Sequence, residues 1–429
     1  MNIIERGRAF VESLRAMAGR TAWDWRRCPQ CKGDETQRYG SYVRYPWGLA
    51  GREEVVVRRH LCVPCNSTYS EQSPWLVRGS WYRREVHRYA VDMWQHHGSS
   101  LRRVAEWVRS QIGRQERWHL WHPLAPEAPE GERCYLGAST VHRWLDGAGR
   151  KAQESVGEQL AGIASSGQMG TDGLWARLRG GSQRVVLALV DTVSGLIHPP
   201  VVVEEEESAS AWGVLFRRAR EAGLDLDRLG GVTSDGAQGL LAYLRQALNW
   251  VRHQRCVWHL WRNLGAELAR ASARAAQGLA EGLAQQMRQQ VRQELTALLH
   301  AIIDAPSYEQ AEQALARLMA HASGAGLGKK LNEQLDRLFM YQLPDHRGLL
   351  WVSPEWLWRD FRLRLSHGRN HGSAQHLERA VLRWAVYHNF TPAQWRSEAK
   401  RHYKHPGQSA LEVAGASPGE ISYLDALGV

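Results

Sequence analysis

Long apolar runs are missing from this 429-residue chain, so no segment is suited to cross a membrane as a helix. A signal-peptide core is missing too. The opening MNIIERGRAFVESLRAMAGR alternates charged and apolar residues at helical spacing, which predicts an N-terminal helix over 1–27 and a cytoplasmic, nucleoid-associated protein. Cysteine is scarce, six in all, and disulfides are not expected where thiols stay reduced. Acidic side chains are fewer than basic ones, 44 against 55, for a net charge of +11. The imbalance is concentrated: residues 1–150 hold 24 Lys and Arg against 16 Asp and Glu, which points to a polyanion partner, most simply nucleic acid. An apolar fraction of 43% and 20 tryptophans exclude a disordered chain.

Four of the cysteines form two close pairs, Cys28-x-x-Cys31 in CPQCKG and Cys62-x-x-Cys65 in CVPCN. Gly33 and Asn66 follow these pairs and tolerate the left-handed backbone that such knuckles need. The intervening QRYGSYVRYPW and REEVVVRRHLC read as strands, which would bring the knuckles together as a zinc ribbon over 28–80. Four thiolates so gathered suit one tetrahedral zinc ion. A redox pair is the competing reading, but no βαβ pattern surrounds either motif.

Next, GSSLRRVAEWVRSQ places Leu101, Val104, Ala105 and Val108 on one helical face, capped by Ser99 or Ser100. Farther on, LGASTVHRWLDGAGR has Ser139 as a cap and Val141, Trp144 and Leu145 on its apolar face. The two predict a helix-turn-helix DNA-binding domain over 81–155, with a Pro-rich surface insertion between its helices. Thr140, His142 and Arg143 on the second helix, with Arg102 and Arg103 on the first, are the candidate DNA contacts. A plain helical connector is the bland alternative. His119, His122 and Cys134 of the insertion are weak metal candidates.

From residue 168 strands and helices alternate. MGTDGLWARL, RVVLALVDTVSGLIHPPVVV, SASAWGVLFRRAREAGL, GVTSD, AQGLLAYLRQALNW and HQRCVWHLW follow the order β-β-β-α-β-α-β. This is the order of a ribonuclease H-like α/β fold, in which the first and fourth strands are neighbours. Asp172 and Asp235 would then lie side by side, and Asp191 falls in a hairpin turn. Two adjacent carboxylates stay ionised at neutral pH only with a cation between them. Mg²⁺, or Mn²⁺ in its place, fits such oxygen ligands and serves phosphodiester chemistry. Residues 261–344 are rich in Ala, Leu, Gln and Arg and predict an all-helical insertion, or equally a dimerisation module, with a capping box at Ser307.

GTDG, TSDGAQGL and QRCVWHLWRN resemble, in that order, DDE transposases of the Mutator-like and related bacterial insertion-sequence groups. The N-terminal CPQC…CVPC and STVHRW are similar to the DNA-binding regions of such enzymes. The resemblance covers most of residues 28–390. It implies a catalytic domain over 166–260 and 345–395, split by the insertion, and a C-terminal tail over 396–429. It also implies a Cys-x-x-His pair after the second aspartate, matched by Cys256 and His259, with Arg262 and Asn263 continuing the motif near the active site. These residues would position DNA, pack near the site or contribute to a metal.

The resemblance further implies a final glutamate after the insertion. Glu355, Asp360 and Glu378 are available, and Glu378 in NHGSAQHLERAVLRW fits best, about one turn into a helix started at Ser373. The implied activity is metal-dependent cleavage and strand transfer at terminal inverted repeats, by a homodimer or larger assembly on double-stranded DNA. A domesticated DNA-binding regulator and a nuclease of repair or recombination are the alternatives.

Overall fold

The structure, a computed structural model, describes residues 26–71, 73–112, 136–160, 162–204, 208–340, 358–359, 361–362, 371–392, 405, 407–416, 418–419 and 421–429. Most of the expected N-terminal helix, together with His119, His122, Cys134, Glu355 and Asp360, lies outside these residues.

The N-terminal unit is a three-stranded antiparallel sheet of β1 (Thr36–Arg44), β4 (Val55–Cys62) and β5 (Ser67–Ser70) in the order β1-β4-β5. A two-strand ribbon, β2 (Trp47–Gly48) and β3 (Gly51–Arg52), bridges β1 to β4. Three helices follow: α1 (Arg84–His97), α2 (Leu101–Gln111) and α3 (Ala138–Leu160). Gly98 ends α1 in a left-handed conformation, and Ser100 caps α2 by accepting from the Arg103 amide. The link is therefore a three-residue turn.

Two expectations need correction here. α1 was not anticipated, although Val86, Ala90, Val91 and Trp94 give it an apolar stripe against α2 and α3. The helix bearing Thr140 is not short. It begins at Ala138, which puts Ser139 inside the first turn instead of at the cap, and runs to Leu160 because Ala148, Ala152, Val156 and Leu160 prolong its buried stripe.

A five-stranded sheet forms the centre of the molecule, in the order β10-β9-β6-β7-β8. Its strands are β6 (Gln168–Arg177), β7 (Gln183–Asp191), β8 (Val201–Val203), β9 (Gly231–Ser234) and β10 (Arg252–Arg255). β6, β7 and β8 are antiparallel, while β6, β9 and β10 run parallel. The interior strand β7 reads VVLALV because both of its faces are covered. On one face α4 (Ala209–Glu221) and α5 (Gln238–Ala247) bury Trp212, Phe216 and Leu240 against Val185, Leu187 and Leu189. On the other, α3 and α11 (Ala374–Phe390) cover Val186, Ala188 and Val190.

From β10 the chain enters five helices, α6 (Val257–Ala275), α7 (Glu281–Ile303), α8 (Tyr308–Ala320), α9 (Ala325–Asn332) and α10 (Leu335–Leu338). They share a core of their own around Leu264, Leu295, Leu299, Leu315 and Leu331. Ser307 caps α8 by accepting from the Gln310 amide. At the far end Gln254 of β10 donates its side-chain amide to the Leu338 carbonyl at 2.9 Å, tying the last helix back to the sheet. The segment expected to be a tail is in its described part a docked one. α12 (Ala410–Val413) and α13 (Tyr423–Ala426) bury Leu411, Leu424 and Leu427 against α11, α1 and α3.

Candidate active site and thiol cluster

Asp172 stands in the middle of β6 and Asp235 one residue past the end of β9. The two strands pair in parallel through Gln168–Gly231, Met169–Val232 and Gly170–Thr233, and the same register carried two residues further sets Asp172 opposite Asp235. Each carboxylate accepts from a nearby backbone amide, within the strand for Asp172 and in the turn after β9 for Asp235. The Gly173 amide donates to Asp172 Oδ1 and the Ala237 amide to Asp235 Oδ1, both at 2.9 Å. Asp172 is buried, and Asp235 is half-exposed.

Gly236 suits its position by its left-handed backbone. Its φ is +79°, and a Cβ added there would come within 2.5 Å of Arg255 Nη1. Arg255 ends β10, opposite Ser234. Its guanidinium is thus laid across the turn that carries Asp235. Burial pushes the Arg255 pKa down, while the Asp235 charge pulls it back up. Sequence reading passed over Arg255. The available signal was register: HQRC runs parallel to VTSD, so its arginine has to sit beside the aspartate's turn. The same turn is fixed by Ser234, whose Oγ lies 2.8 Å from His253 Nε2 and accepts from the Gly236 amide.

Cys256 donates its amide to the Ser234 carbonyl at 2.8 Å and serves as the residue from which α6 starts. Both Cys256 and His259 are buried. Arg262 and Asn263 are exposed on the next turn, with the Arg262 guanidinium 5.7 Å from the centre of the exposed Trp258 ring. The four motif residues therefore lie on the helix that leaves the Asp235 end of the sheet.

Ser373 caps α11 by accepting from the His376 amide, and Glu378 follows in the second turn. Its carboxylate is hydrogen-bonded and ion-paired to the Arg218 guanidinium of α4. Among the described residues, the only group of three or more His, Cys, Asp or Glu side chains with ligand atoms mutually within 4.8 Å is a set of cysteines. Asp172, Asp235 and Glu378 do not form such a group. Asp191 lies toward the other end of the sheet, where its carboxylate accepts from the Ser165 hydroxyl and from the amides of Ser166, Val193 and Ser194. It is a turn brace, as its hairpin position suggested.

The cysteine group is Cys28, Cys31, Cys62 and Cys65. Sγ of Cys31 and Cys62 are 3.5 Å apart, near the ~3.8 Å edge of a tetrahedron with metal–sulfur bonds of about 2.3 Å. The set fits a zinc ion by both donor type and spacing. Backbone amides, that of Cys31 first, pull the Cys28 thiol down to about 6, while its neighbours, Cys31 first, push Cys65 up to about 12. In each knuckle the left-handed residue is the one right after the second cysteine: Asn66 (φ 49°), as expected, but Lys32 (φ 62°) instead of Gly33. Gly33 serves differently. Its carbonyl accepts from the Cys28 amide, and a Cβ there would touch Cys31 Sγ at 3.4 Å.

Arg102 and Arg103 are exposed at the start of α2, as are His142 and Arg143 on α3, where Thr140 is half-exposed and accepts from Arg143 at 3.3 Å. α3 is also clamped to α11. Asp146 pairs with Arg379 at 2.7 Å, and the buried Arg383 donates to the Leu145 carbonyl at 2.6 Å with its guanidinium 4.7 Å from the Trp94 ring centre. No curated protein matches the chain. The family model described as transposase, Mutator family, matches residues 200–342, a span that includes Asp235, Cys256, His259 and the helical insertion. Over that third of its length the chain is similar to Mutator-family transposases.

Proposed function

We propose that the protein is a DNA transposase that binds terminal inverted repeats, cuts beside them and joins the freed 3′-hydroxyls to target DNA. The feature that carries this reading is the parallel pairing of β6 with β9, whose register, continued two residues past its last pair, would set Asp172 opposite Asp235, inside a sheet whose order is that of a ribonuclease H-like fold. The Mutator-family segment supports it independently. Two carboxylates on neighbouring strands suit a hard divalent cation such as Mg²⁺, which when bound supplies charge neutralisation for phosphodiester cleavage. The chain's own residues do the positioning. The Gly173 and Ala237 amides hold the two carboxylates in place, and Arg255 fixes the turn beside Asp235.

Glu378 is proposed as the third carboxylate, and to act it exchanges its Arg218 partner for the site. Cys256, His259, Arg262 and Asn263 are read as packing and DNA-positioning residues on α6. The ribbon holds zinc through Cys28, Cys31, Cys62 and Cys65. α2 and α3 act as the helix-turn-helix: Thr140, His142 and Arg143 reach base edges, and Arg102 and Arg103 hold phosphates. Cutting two transposon ends calls for a homodimer or larger assembly on DNA.

Asp172→Asn and Asp235→Asn test the reading on a labelled repeat substrate with Mg²⁺. Each is expected to lower cleavage more than about 100-fold while repeat binding persists. Near-normal cleavage by either variant sinks the site. A second reading, a transposase-derived DNA-binding regulator, is favoured by one observation, the engagement of Glu378 by Arg218. Repeat binding without cleavage by the unaltered chain, in Mg²⁺ and in Mn²⁺, selects it.

A further inference from the structure

The N-terminal sheet has an unusual surface. Residues 37–43 of its edge strand β1 are all exposed, so neither face of that strand is covered. Of the seven exposed tyrosine and tryptophan side chains among the described residues, four belong to this unit: Tyr39, Tyr42, Tyr45 and Trp81. Trp81 is the most open, at 72% exposure. Its backbone is nonetheless fixed, because its carbonyl accepts from the Trp47 amide at 2.7 Å and the next residue, Tyr82, is buried in the core. A rigid backbone presenting a bare indole is a poor way to fold and a good way to bind.

Three of these rings, Tyr42, Tyr45 and Trp81, border a groove of about 860 Å³ between β1 and the 76–81 segment. Arg44, Arg52 and Arg78 line it, against one acid, Glu71. Arg44 reaches across to the Ser80 carbonyl, and Arg52 lies over the Tyr45 ring at 5.3 Å. Arginine guanidinium groups interleaved with open aromatic faces are the chemistry of unpaired nucleobases on a phosphate backbone. A duplex hides its base faces by stacking, so its grooves call for helices or ribbons instead.

We propose that this groove binds a stretch of single-stranded DNA, stacking bases on Tyr42, Tyr45 and Trp81 while Arg44, Arg52 and Arg78 hold phosphates. Duplex reading is left to α2 and α3. The choice of DNA over RNA rests on the transposase reading. The groove would receive strands unpaired at a cut transposon end.

The test uses the full zinc-loaded chain and a fluorescent oligothymidylate of roughly 12 nucleotides, alongside a blunt duplex. Tyr42→Ala and Trp81→Ala are each expected to weaken oligothymidylate binding about 5- to 100-fold. Tyr42→Phe and Trp81→Phe should restore it, and duplex binding should not change. Zinc content and circular dichroism of each variant report that the ribbon is intact. Oligothymidylate binding unaffected by the alanine variants overturns the proposal, as does an equal loss for oligomer and duplex. Tighter binding of oligouridylate overturns the assignment to DNA. A chain that cleaves no repeat DNA but shows the expected oligomer pattern would sink the transposase reading and leave the groove in place.

Discussion

Gly236 and Asp191 show how one residue can be decided by its surroundings. At Gly236 the backbone is left-handed and the Arg255 guanidinium occupies the space a methyl would need. Gly236→Ala is expected to cost about 1–3 kcal/mol of stability and to displace the turn that holds Asp235. The measurements are the urea midpoint and cleavage; an unchanged midpoint would mean that Arg255 does not pack there. Asp191 is nearly inaccessible and accepts from three amides and one hydroxyl. Asp191→Ala leaves these donors without their acceptor, and about 2–4 kcal/mol should be lost. Cleavage per folded molecule should hold, because Asp191 braces a turn away from Asp172 and Asp235. A stable but inactive Asp191→Ala protein would move the site.

Among elements, the ribbon depends most on a group held between two short turns. Its own buried cluster is small, consisting of Cys28, Cys62 and Tyr69 with Cys65 packed beside them. A core of that size cannot order a three-stranded sheet, so metal binding and folding should be one event. Cys31→Ser should release zinc and abolish strand protection in hydrogen exchange over 36–70, leaving the central sheet protected. Full protection in a zinc-free ribbon would refute this. Elements of this kind were legible because their signals are local. Paired CxxC turns, the Ser100, Ser307 and Ser373 caps and the VVLALV strand each declare themselves within a few residues. The neighbouring of β6 and β9, the strands that lead to Asp172 and Asp235, followed from the order of elements. What was missed depends on distant partners. Nothing near Glu378 announces Arg218, 160 residues away. α3 runs to Leu160 because α11 covers it, and α1 has its apolar stripe partly disguised by the polar His87, which is buried by stacking on Trp144 at 4.0 Å.

At the scale of the whole molecule, several histidines are folded away as neutral rings. Burial pushes His87 and His253 down to about 3, and His198 and His371 to about 4, from an ordinary 6.5. The unfolded chain takes up these protons near pH 6.5, while the native state refuses them until pH 3–4. Stability is therefore full above pH 6.5 and falls below it, by up to about 1.4 kcal/mol per pH unit for each histidine. Urea midpoints at pH 7 and pH 5 measure this, and equal midpoints would contradict it. The docking of α13 has a consequence for how the molecule is made. Arg88 of α1 is tied to Asp425 at 2.6 Å across 337 residues of chain, and Tyr423 is hydrogen-bonded to Asp92. At a synthesis rate of about 5–20 residues per second, α1 waits on the order of tens of seconds for its covering strap. During that interval a nascent chain already carries its N-terminal sheet and α1 to α3, but not the segment that covers α1 and α3. Newly made protein thus passes through a stage in which the faces of α1 and α3 that α13 will cover are still open.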